Sequence, residues 1–96
     1  MDRLIANTRI TIRAEFRNEA GALADPTTII LYLESPEGTI TDYSYAEAEV
    51  IRESIGVYYM LFTPTLTGQW AYEWRTTGSP TIAKDGLFVI EPSEVG

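Results

Sequence analysis

Residues 56–75 read GVYYMLFTPTLTGQWAYEWR, and they decide the fold class. Six of the eleven aromatic residues lie in this stretch, so it is where a core must be built. Both halves alternate strictly. Tyr58, Met60 and Phe62 share one side of the first run, and Trp70, Tyr72 and Trp74 share one side of the second. A period of two marks a half-buried strand, because successive side chains leave an extended backbone on opposite faces. With Pro64 and Gly68 between the runs, the stretch reads as two aromatic strands joined by a short turn, a hairpin at the centre of a β-fold. Gln69, Ala71, Glu73 and Arg75 form a wet face, which assigns the opposing aromatics to a core in preference to a stacking platform.

The same pattern continues outward in both directions. Thr8–Phe16 alternates, with Ile10, Ile12, Ala14 and Phe16 inward and Arg9, Thr11, Arg13 and Glu15 outward. Pro26 opens a β-branched run at Thr27–Glu34, and the SPEG turn at 35–38 leads into Thr39–Tyr45. Ala46–Glu49 fits either one helical turn or a lead into a short strand at Val50–Arg52. Beyond Thr76, a long excursion is expected past Lys84, with Asp85-Gly86 as a turn, before a last strand at Leu87–Glu91. Seven strands at this spacing predict a single all-β antiparallel sandwich or barrel over 8–91. Residues 1–7 read as a flexible N-terminal arm and 92–96 as a short acidic tail.

Composition narrows the function. The chain has 96 residues, no Cys, no His and a net charge of −7. Nucleic acid and anionic membrane are therefore poor partners, since both require a basic face. No apolar run reaches the roughly 18 residues of a membrane span, and residues 1–9 lack a signal-like apolar stretch, so folding in a reducing cytoplasm is expected. Without His or Cys, the common nucleophile–base pairs and imidazole or thiolate metal sites are missing. Glu47 with Glu49, or Glu34 with Glu37, are carboxylate pairs of the kind chance supplies among fourteen acids, so no enzyme is expected. Asp25, Asp42, Asp85 and Glu91 are scattered singly, so neither a calcium loop nor any other cofactor is expected.

Charge is distributed unevenly. Residues 1–17 carry Arg3, Arg9, Arg13 and Arg17 against Asp2 and Glu15, and the rest of the chain is strongly acidic. Two readings stand: the arginines of the first strand pair with acids on neighbouring strands, or they form a basic edge that docks on an acidic partner. Leu4 and Ile5, outside the regular alternation, suit a docking arm. The 57–62 run is apolar on both sides, so Val57, Tyr59 and Leu61 make a face for a partner subunit or a loop of this same chain to cover. The candidate partner-binding residues are Leu4, Ile5, Arg9, Arg13, Arg17 and Tyr59.

The series GALADPT (21–27), SPEGT (35–39), GVYY (56–59), GQWAYEWR (68–75) and GLFVI (86–90) resembles a family of small phage and prophage proteins. The resemblance covers roughly residues 8–91 and rests on turn glycines, prolines and core aromatics. It implies an immunoglobulin-like sandwich among virion structural proteins: a capsid decoration or cement protein on the major capsid lattice, or a head–tail junction or tail accessory protein. It carries over no catalytic residue. Acidity suits the outside of a particle better than a lumen filled with phosphate. A glycan-binding or adhesion module is the reading from a different class, with Tyr43, Tyr45 and Tyr59 as its candidate aromatics.

Overall fold

The computed structural model describes residues 4–78 and 81–92. In chain order the strands are β1 (Ile10–Glu15), β2 (Thr28–Glu34), β3 (Ile40–Ser44), β4 (Ile51–Ser54), β5 (Val57–Phe62), β6 (Gly68–Thr77) and β7 (Ala83–Ile90). They form two sheets, in the orders β1-β5-β4 and β3-β2-β6-β7, with every strand pairing antiparallel. Of the sandwich and the barrel that the strand spacing allows, this is the sandwich, all-β and immunoglobulin-like as the resemblance implies.

The two aromatic runs are strands, but they do not form a hairpin. β5 lies between β1 and β4, whereas β6 lies between β2 and β7 in the opposite sheet. The link at 63–67 is too long for a tight turn, and buried Pro64 has no N–H to extend a ladder. Trp70 fixes the corner, since its indole Nε1 donates to Leu66 O at 3.1 Å. The aromatic sides of the two strands therefore meet across the core. Phe62 packs edge-on to Trp70 at 5.2 Å, and Phe16 on β1's continuation packs edge-on to Trp74 at 6.0 Å. Ile12, Phe16, Tyr58 and Met60 from one sheet and Ile29, Leu31, Leu33 and Trp74 from the other are all buried.

Two local expectations change. Lys84, Asp85 and Gly86 belong to β7, which begins at Ala83 because the ten-residue β6 offers pairing partners that far back. Gly86 is not a turn residue: it sits opposite Tyr72, and a Cβ there would lie 2.4 Å from the tyrosine oxygen. Its lack of a side chain is what admits the ring. Ala46–Glu49 resolves as a turn with Ala48 at φ 63°, leading to buried Val50 and then β4.

Leu4–Ala6, expected in an arm, lie along the end of β7. Ile5 bridges Glu91 in parallel, Ala6 N–H donates to Glu91 O at 3.0 Å, and Glu91 N–H donates to Leu4 O at 2.8 Å. Residues 1–3 of that arm and 93–96 of the acidic tail lie outside the described residues.

Candidate interaction surface

A groove runs between β1 and β7, where the two sheets present their edges side by side. Its lining includes Leu4, Ile5, Arg9, Ile10, Ile12, Arg13, Tyr72 and Phe88. Four of the six residues proposed from sequence therefore converge on one surface. The fold brings them together in a definite way: alternation turns Ile10 and Ile12 toward the sheet interface, the bridge to Glu91 brings Leu4 and Ile5 alongside, and Gly86 lets Tyr72 and Phe88 approach. The lining is apolar at its base and includes Arg9 and Arg13, and Glu15 and Asp85 stand at its Lys84 end.

Arg17 and Tyr59 lie elsewhere. Arg17 donates to Gly21 O at 3.0 Å and pairs with Glu15 at 3.4 Å. Tyr59 is half-buried on the outer face of the three-stranded sheet, in register with Arg13 on one side and Ile51 on the other. Beside it, Leu61 and Ile51 are exposed, whereas Val57 is buried.

Arg13 follows the first of the two sequence readings. It pairs with Glu53 and Glu15, each at 3.3 Å, and Glu53 raises its pKa further above the ordinary guanidinium value. These pairs are nearly half exposed and screened by solvent, so they hold Arg13 only weakly. Arg9 is exposed and forms no ion pair among the described residues.

At its Glu15 end the groove is closed by Lys84, whose Nζ donates across the seam to Glu15 O at 2.8 Å. Trp74 lines this end; it is 1% exposed, and its Nε1 has no acceptor among the described residues. An unmade hydrogen bond there costs about 1–3 kcal/mol. Trp74→Phe removes that donor together with some packing, so a loss of about 1 kcal/mol is expected. Trp74→Ala should lose about 3–5 kcal/mol. Urea denaturation of both variants checks the contrast.

The sequence reading missed a second constellation, around Asp25. Its carboxylate accepts from Arg52 Nε and Nη2 at 3.2 and 2.9 Å, from Gly56 N–H at 2.9 Å and from Tyr58 Oη at 2.9 Å. The Arg52 hydrogen bond, then that of Gly56, holds the Asp25 pKa down at about 2. Burial, then the Asp25 hydrogen bond, pushes the Tyr58 phenol up to about 12. Three donors converge on Oδ1 and one on Oδ2, so this cluster ties the β1–β2 and β4–β5 connections together. The ADPT segment, read as a structural turn, contains its central residue. The only available signal was an acid placed before a proline, and the partners are 27 to 33 residues away.

The outer face of the four-stranded sheet carries exposed Ile40, Leu87 and Val89 around Tyr32 and Ala71. Tyr32 is covered in part by the Arg75 guanidinium at 5.8 Å. Among the described residues, no cluster of acids is placed to hold a metal ion, and no helix is long and apolar enough to cross a membrane.

Neither a protein-family model nor a curated protein matches the sequence. Among solved structures, the chain is similar to part of a putative glycoside hydrolase from Bacteroides vulgatus ATCC 8482, with a TM-score of 0.65 and 13% identity. The match covers 97% of this chain and 17% of the other. At that identity the likeness shows a shared sandwich fold.

Proposed function

We propose that the chain is a non-enzymatic structural domain of a bacteriophage virion, docking on the outer surface of the major capsid lattice or on another virion structural protein. The observation that supports docking is the groove between β1 and β7, which joins an apolar base to Arg9 and Arg13. The virion assignment is supported by the resemblance in turn and core motifs, and the head–tail junction or tail is its alternative location. Binding is by burial and charge.

Co-sedimentation with particles lacking the protein tests this. Wild type should saturate at a fixed stoichiometry, and light-scattering mass would show whether it does so as a monomer or a small homo-oligomer. Arg9→Glu with Arg13→Glu is expected to weaken binding at least tenfold, since each reversal sets like charges against an acidic surface. Unchanged binding by the double variant would sink the proposal.

A second reading is an accessory sandwich of a carbohydrate-active protein, supported by the likeness to a region of a putative glycoside hydrolase. Its aromatic candidates lie apart. Tyr43 packs on Phe62 at 6.3 Å, Tyr45 packs edge-on to Tyr58 at 5.4 Å, and Tyr59 belongs to the other sheet. A change in tyrosine fluorescence on titration with bacterial polysaccharide would favour this reading.

A further inference from the structure

Resting on the groove as the docking site, we infer that the partner is taken as an added β-strand: an extended segment of alternating apolar and acidic residues that pairs with the free edge of β1. The register of β1 on β5 fixes which backbone groups are available. Phe16 N–H donates to Gly56 O, so the even-numbered residues of β1 bond to β5 and the odd-numbered ones turn their N–H and C=O groups the other way. Glu15 shows that direction, since its carbonyl takes the Lys84 ammonium across the seam. Thr11 and Arg13 therefore present backbone donors and acceptors on an edge that has no partner strand among the described residues.

This edge is bounded. Lys84 closes it at Glu15, and Leu4–Ala6 close the other end by pairing with Glu91. The open stretch, residues 9–13, spans roughly 17 Å, the length of a five-residue strand.

The two faces of an added strand meet different chemistry. Inward side chains land on Ile10, Ile12, Tyr72 and Phe88, and outward ones stand beside Arg9 and Arg13. Apolar residues at one parity and carboxylates at the other satisfy both faces, by burial and by cross-strand charge pairing. A second copy of β1 would set these arginines against their own equivalents, which opposes self-pairing here and favours an acidic partner.

Amide hydrogen exchange on the full chain tests this, using a blocked nine-residue peptide alternating valine and glutamate as the probe. In the free protein, Thr11 and Arg13 should exchange at least tenfold faster than Ile12 and Ala14. Saturating peptide should slow Thr11 and Arg13 at least tenfold. The same peptide N-methylated at alternate residues, or with its glutamates grouped at one end, should not. Peptide binding that leaves both amides unprotected overturns strand addition. So does failure of the alternating peptide to bind while Arg9→Glu with Arg13→Glu still weakens particle binding. Both results leave the docking reading standing, whereas particle binding indifferent to the arginines removes docking itself. Protection of the same amides that rises with protein concentration, without peptide, would mean that a second copy fills the edge and would overturn the acidic partner.

Discussion

Replacing Gly56 with alanine is expected to remove about 4 kcal/mol of stability, a large fraction of the roughly 5–15 kcal/mol that holds a domain folded. Gly56 sits at φ 72°, where a side chain costs about 1–2 kcal/mol through contact with its own backbone. The added methyl would also lie 2.7 Å from Ala24 N and 2.8 Å from Phe16 O. Those two atoms are hydrogen-bonded to each other at 3.0 Å, so neither yields without breaking that bond. Moving Gly56 instead disturbs its own links, the carbonyl accepting from Phe16 N–H and the N–H donating to Asp25. Displacing such a knot adds about 1–3 kcal/mol. The urea midpoint should fall by several molar, given a slope of about 1 kcal/mol per molar for a small domain. Gly21→Ala is the control: φ is 84°, but no atom lies within 4 Å of the new carbon, so about 1 kcal/mol is expected. Equal losses at the two positions would refute the crowding argument.

What the sequence displayed and what it concealed divide along a physical line. Alternation is a local property, so the strands were legible, down to the inward set of β1 and the aromatic side of β6. Which strands pair is decided at long range. The TPTLT link satisfies a turn reading and a crossover equally, and only packing of Phe62 on Trp70 between sheets selects the crossover. Gly86 looked like turn punctuation because the sequence cannot show that Tyr72 stands opposite it. Within the candidate site, the basic first strand and the apolar Leu4-Ile5 pair stood out by composition. Their convergence depends on the parallel bridge to Glu91, which no local pattern announces. Arg17 belonged to the same charge pattern, yet it lies beyond the strand and is taken up by Gly21 and Glu15.

Asp25→Ala is expected to cost about 3 kcal/mol, and the loss should depend on pH. The substitution strips an acceptor from Tyr58, which is 2% exposed, and from the Gly56 N–H, each worth about 1–2 kcal/mol when left without a partner. The Arg52 pair adds little, because both of its side chains are 38% exposed. Asp25→Asn keeps an oxygen for the same two donors and should lose about half as much. Proton linkage separates the charge from the geometry. The folded pKa of Asp25, about 2, lies below the ordinary 3.8, so its ionised form is favoured by folding. That contribution is complete above about pH 4 and disappears as the pH falls from 3.8 toward 2, about 1 kcal/mol after solvent screening. Tyr58 has the opposite sign: with its pKa raised from 10 to about 12, it favours the fold below pH 10 and loses that contribution as the pH climbs to 12. Urea midpoints measured from pH 2 to 5 should fall more steeply in wild type than in Asp25→Asn. Parallel curves would show that the carboxylate's charge, as distinct from its oxygens, contributes nothing to holding the two connections together.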